Sequence, residues 1–181
     1  MAQYIGSTSP DDSRSADCTL LDSVLANPRV RLVREALANR GFNGEIRVFD
    51  ESTRTAAQAA IACECPVGAI ANSLVFRCEE TPLLILTSGA HRVDVRYVQR
   101  QLGCGKLHRA DAAFVLGHTG QVIGGVAPLG HPKVIQTILD VALSQFQDIW
   151  AAAGHPNTVF RTSYGDLLEY TQASEMKVSE D

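Results

Sequence analysis

The stretch that most limits how this chain folds is Val122-Ile123-Gly124-Gly125-Val126-Ala127-Pro128-Leu129-Gly130-His131-Pro132. It opens apolar and β-branched, as a buried strand does. Three glycines, two prolines and a histidine then fall within the nine residues from Gly124 to Pro132. Proline removes a backbone donor and fixes φ, and glycine admits backbone angles closed to other residues. No regular element runs through such a stretch. Two readings stay open at this point. One is a tight turn between strands. The other is a strand that runs into a loop and displays its N–H groups around a carbonyl or an oxyanion.

The chain has 181 residues, enough for one domain with a sizeable core. No apolar run approaches the roughly 18 residues of a membrane span. The first residues carry neither a basic nor an apolar leader segment, so cytoplasm is the expected location and no membrane partner is expected. Five cysteines, at 18, 63, 65, 78 and 104, are odd in number and scattered, which argues against a disulfide framework. Cys63-Glu64-Cys65 lacks a second pair at zinc-ligand spacing, so no metal site is expected. Net charge is −4, against general affinity for polyanions, and no DNA partner is expected. Charge is uneven, however. Arg92, Arg96, Arg100, Lys106 and Arg109 follow one another with Asp94 as the lone acid among them. Such a segment is either a solvated face or a phosphate-binding edge.

Residues 1–18 are Ser-, Asp- and Thr-rich and read as a flexible tail, 19–172 as the folded domain, and 173–181 as a second flexible tail. Asn27-Pro28 marks a helix start, with Val30, Val33, Ala36 and Leu37 at helical spacing and a stop at Arg40-Gly41. Glu45 to Asp50 alternates as a strand. Thr55 caps an alanine-rich helix over 56–62. Strands are expected over 69–76 and 83–87, joined by a tight connection and therefore antiparallel. A helix follows over 93–102, then a short one from Ala110 to Leu116 that Gly117 stops. Beyond the glycine-rich stretch come strands over 134–139, 149–153 and 159–162, and a helix capped by Ser163. This order is not regular βαβ alternation. It predicts an α/β domain of the α+β kind, one compact unit with a mixed, mostly antiparallel sheet flanked by helices.

No Walker loop, G-x-S-x-G or H-E-x-x-H occurs. Asn72 is conspicuous as an amide within the apolar run from Ile70 to Phe76. It faces either a pocket or solvent, and if buried it needs partners. Several runs, taken in order, resemble the YbaK/prolyl-tRNA synthetase-associated domain family. They are Arg54-Thr55-Ala56, then Ile70-Ala71-Asn72-Ser73-Leu74-Val75-Phe76-Arg77, Arg92-Val93-Asp94, Gly124-Gly125-Val126-Ala127-Pro128-Leu129-Gly130 and Ala153-Gly154-His155-Pro156-Asn157. The resemblance spans about residues 28–172.

The resemblance implies a curved mixed sheet and hydrolysis of mischarged aminoacyl-tRNA, here by a free-standing protein acting in trans. A small amino acid on tRNA for proline is the expected substrate. Gly124, Gly125 and Pro128 match the family's G-x-x-x-P loop, whose N–H groups contact the aminoacyl carbonyl. Val126, Ala127, Gly130, His131, Asp94, Asp140 and His155 become candidate substrate-binding residues. Arg92, Arg96, Arg100, Lys106 and Arg109 become candidate tRNA contacts. Water attacks the ester, the ribose hydroxyl of the substrate assists, and no cofactor is implied. One departure stands out. Family enzymes typically carry lysine where this chain has Asn72, which keeps a donor but loses a charge and most of the reach. The alternative reading is therefore a non-catalytic protein that binds tRNA or an aminoacyl nucleotide. The oligomeric state is left open.

Overall fold

The computed structural model describes residues 21–180, so the expected tail over 1–18 lies outside the described residues. In chain order the elements are α1 (Pro28–Ala38), β1 (Ile46–Val48), α2 (Ala56–Ala62), β2 (Ile70–Cys78), β3 (Thr81–Ser88), α3 (Val95–Leu102), β4 (Leu107–Arg109), α4 (Ala112–Thr119), β5 (Gln136–Asp140), β6 (Ile149–Ala152), β7 (Thr158–Thr162), α5 (Tyr164–Thr171) and β8 (Ser174–Met176). One open mixed sheet runs β1-β7-β6-β2-β3-β5-β8, and β4 also pairs with β2. The pairs β1/β7, β2/β3, β2/β4 and β6/β7 are antiparallel, and β2/β6, β3/β5 and β5/β8 are parallel. No helix among the described residues is long and apolar enough to cross a membrane.

Local chemistry explains most boundaries. The Asn27 side chain accepts from the Arg29 N–H with Pro28 in the first turn. Thr55 and Gln58 form a reciprocal capping box, as do Ser163 and Asp166. Such caps contribute about 1 kcal/mol each. β3 is central, and Leu83, Leu84, Ile85 and Leu86 are all buried, which is why its sequence runs apolar instead of alternating. Leu84 and Leu86 join the larger core with Val33 and Leu37 of α1, Phe160, Leu167 and the loop residues Val126, Ala127 and Leu129. Leu83 and Ile85 face the other way, against Val98 of α3. Ile70 packs there with Ala59 and Ala60 of α2 and with Trp150.

Four sequence expectations change. The apolar start of the glycine-rich stretch is not a strand: the Gly125 N–H turns back to the Val122 carbonyl, and the Ala127 N–H is taken by the Gln121 side chain. Gly117 does not stop its helix. A single glycine costs only about 1 kcal/mol in a helix, and α4 continues to Thr119, ending at Gly120 with φ of 70°. Val134 is 97% exposed and precedes β5. The segment expected to fray after residue 173 is instead in place. Ser174–Met176 pairs in parallel with β5, Val178 is buried, and the Asp94 N–H donates to the Val178 carbonyl.

Asp140, at the end of β5, is 1% exposed. Its carboxylate accepts from the Ser88 N–H at 3.1 Å, the Thr87 hydroxyl at 3.2 Å and the Ala142 N–H at 3.1 Å, with His91 Nδ1 at 3.0 Å. It ties the ends of β3 and β5 together. Replacing it with alanine strands several buried donors at once, which costs roughly 3 kcal/mol or more. Asp140→Ala is expected to lower the urea midpoint without changing the slope of the transition.

Candidate functional site

The site begins with a gap in the sheet. On the edge away from β3, β2 pairs with β6 at Ile70 and Ala71 and with β4 from Phe76 to Cys78. No strand pairs with Asn72–Val75 on that edge among the described residues. Backbone groups alternate sides along a strand. The Ile70 carbonyl accepts from Gly89 toward β3, and the Val75 carbonyl accepts from Ala110 on the open side. Ser73 therefore turns its own N–H and C=O toward the gap. A cavity of about 270 Å³ occupies this place, with Arg54, Asn72, Ser73, Arg109, Gly124 and Trp150 in its wall. A second lobe of about 250 Å³ shares Ser73, Arg109, Gly124 and Val126 and adds Val75, Ala110 and Val115. The Ser73 hydroxyl is buried without a partner among the described residues.

The glycine-rich loop closes the cavity, and its shape is held from inside. Gln121 is buried and bridges the loop: Oε1 accepts from the Ala127 N–H at 2.6 Å and Nε2 donates to the Leu129 carbonyl at 3.3 Å. The His131 ring nitrogen Nε2 lies 3.0 Å from the Ala127 carbonyl. Gly124 has φ of 90°, in the region that favours glycine, and a Cβ there would press on Arg54. A Cβ on Gly125 would stand 2.7 Å from the His155 carbonyl carbon, so only glycine lets the loop seat on the 154–157 turn. The loop's donors are thus unequal. Gly125 and Ala127 spend theirs within the protein, and Pro128 has none. The N–H groups of Gly124 and Val126 make no hydrogen bond among the described residues, and both residues line the cavity.

The expected site residues separate into groups. Asn72 lines the cavity, and its amide has no partner among the described residues. Gly124, Val126 and Arg109 line it too, whereas Gly125, Ala127, Pro128, Gly130 and His131 support the loop from behind. His155 takes the Asn157 N–H on Nδ1 and braces the turn beneath Gly125. Asp94 and Asp140 are not in the wall. Asp94 caps α3 through the Tyr97 N–H, and Asp140 joins two strand ends. Arg92, Arg96, Arg100 and Lys106 stand outside the wall as well, and Arg100 pairs with Glu180. Sequence reasoning missed Arg54, Ser73 and Trp150 as wall residues and Gln121 as the loop's brace. A lone glutamine before an apolar turn was the available signal for the last. Cys63 and Cys65 border a different hollow, and burial pushes the Cys63 thiol up to about 11, so it stays protonated.

Residues 50–170 match the model of the aminoacyl-tRNA editing domain. This chain belongs to that family. The editing domain is similar to the uncharacterized protein YwhH of Bacillus subtilis (strain 168), 29% identical over 143 residues, which are 78% of this chain and 90% of that protein. It also resembles a proline–tRNA ligase of Listeria innocua, 24% identical over 131 residues, 67% of this chain but 23% of the ligase. A crystal structure described as that of a candidate trans-editing enzyme for prolyl tRNA synthetase matches with a TM-score of 0.80 and 38% identity, over 86% of this chain and 99% of that one. The single mixed sheet of this editing domain agrees with the fold expected from its sequence.

Burial pushes the His131 imidazole below its ordinary 6.5, against the opposing pull of the Ala127 carbonyl. His155 is lowered too, by burial first and then by Arg29 and Arg54. The folded state therefore refuses protons that the unfolded chain takes up below pH 6.5. The stabilisation from the neutral rings is full above that pH and is lost as pH falls toward the lowered folded values. Melting temperature is expected to drop on going from about pH 7.5 to about pH 5.5, and more shallowly in His131→Gln.

Proposed function

We propose that this editing domain is a trans-acting aminoacyl-tRNA deacylase that removes a small amino acid, with tRNA for proline as the carrier. The observation that carries this reading is the pair of unpartnered amides, Gly124 and Val126, in the wall of a small cavity. Family membership supplies the substrate class, and the structure described for prolyl tRNA synthetase supports the choice of tRNA. The two amides donate to the ester carbonyl oxygen and hold the negative charge that grows there as water adds. Asn72 offers an amide to the ribose or to the attacking water. Collapse of the tetrahedral species releases the amino acid and restores the ribose hydroxyl. The family resemblance implies that the neighbouring ribose hydroxyl of the substrate orients the water, which agrees with a wall that offers no paired nucleophile and base. The second lobe, walled by Val75, Ala110 and Val115 together with Ser73 and Arg109, takes the side chain. Its size rejects larger residues on steric grounds.

Asn72 also favours a second reading, a domain that binds aminoacyl-tRNA without cleaving it. The test is release of labelled amino acid from tRNA charged with Ala, Ser, Cys or Pro. Turnover on at least one of these is expected. Gly125→Ala, which forces the loop off the 154–157 turn, is expected to lower kcat by about a hundredfold, the cost of one misplaced oxyanion donor. Salt-sensitive tRNA binding with no release from any charged tRNA would favour the second reading.

A further inference from the structure

The cavity wall contains two guanidinium groups and no carboxylate. They come from different elements. Arg54 precedes the cap of α2, and its stem lies against Gly124. Arg109 ends β4, opposite Phe76 of β2. Most other arginines of known surroundings are engaged: Arg29 and Arg40 donate to the carbonyls of Gly120 and Tyr170, Arg77, Arg100 and Arg161 face acids, and Arg47 stacks on Trp150. Arg54 and Arg109 are exposed, and their side chains have neither an ion pair nor a hydrogen bond among the described residues. Both residues line one hollow whose wall has no acid, in a protein whose net charge is −4. Guanidinium is the group best matched to the paired oxygens of a phosphodiester. The field of Arg54 is felt locally, since it helps to lower His155.

We infer that Arg54 and Arg109 grip the phosphodiester immediately next to the aminoacylated nucleoside. The charge that fixes the substrate end then comes from α2's approach and β4, not from strand position 72 or from the basic face of α3. This rests on the deacylase reading and adds to it the smallest substrate the site recognises: an aminoacyl ester on a nucleotide that bears a 5′-phosphodiester.

The experiment compares two short esters, aminoacyl-adenosine and the aminoacyl ester of the dinucleotide CpA, with charged tRNA as the parent substrate. The wild-type protein is expected to show kcat/KM at least tenfold higher on the dinucleotide ester. Arg109→Gln and Arg54→Gln are each expected to erode that ratio about tenfold, because the loss on the dinucleotide ester exceeds any loss on aminoacyl-adenosine. Arg109→Lys keeps the charge and is expected to restore part of the ratio. The salt dependence on charged tRNA is expected to lose about one phosphate's worth of slope in Arg109→Gln and none in Arg31→Gln, an exposed arginine of α1 that serves as the control for net charge. A ratio near one in the wild type overturns the inference, as does an equal loss on both short esters in Arg109→Gln. Deacylation of charged tRNA with an unchanged slope in Arg109→Gln overturns it too, and leaves the deacylase reading standing. No deacylation of any charged tRNA overturns the reading itself.

Discussion

Everything at the candidate site depends on how strand β2 shares its outer edge. It holds β6 for two residues, releases it, and takes β4 after a gap of four residues. A sheet edge left unpaired between two partners is normally a liability, because its backbone groups face neither water nor a ladder. Here the interruption is short and lies beneath a loop. The same interruption brings Arg109 to the cavity, since β4 can reach β2 only where β6 has left it. It also leaves Asn72 between two covered regions of one face, with Ile70 packed under α2 and Phe76 under α3.

The loop above the gap is stiff despite its glycines. Gln121 binds it from inside, His131 ties back to the Ala127 carbonyl, and the backbone of Gly125 rests on the 154–157 turn. Part of the loop lies in the main core: Val126, Ala127 and Leu129 are all buried there. A cradle for a carbonyl must be in place before the charge develops, because reorganisation at that moment would consume the benefit. Burial of the loop's far side holds its backbone in place without a bound substrate, which is what the proposed carbonyl cradle requires.

Most of the framework was legible in the residues. Asn27-Pro28, Thr55 and Ser163 act within one helical turn, and each caps the helix it appears to cap. The tight connection before β3 made that pair antiparallel, as the structure shows. What stayed hidden was long-range. Nothing near Ser174 announces that it will lie beside β5, because a three-residue edge strand borrows its order from its neighbour. The glycine-rich stretch looked like a strand because Val122 and Ile123 are β-branched, yet the Gly125 N–H turns back to the Val122 carbonyl and the Gln121 side chain takes the Ala127 N–H. The basic run from Arg92 to Arg109 read as one surface. Folding divides it, leaving Arg92, Arg96 and Arg100 on or beside α3 and sending Arg109 to the cavity. Arg54 drew little notice because it stands alone in sequence among small polar residues.

The contact between Gly125 and the turn at His155 and Pro156 is made by main chain on main chain. A joint of that kind tolerates wide change in the side chains around it. Ile123, 57% exposed, and the side chains of the second lobe take no part in that contact. On the proposed reading, a domain that keeps this joint can change the residues of the second lobe, and with them the acyl group it takes, without moving the loop.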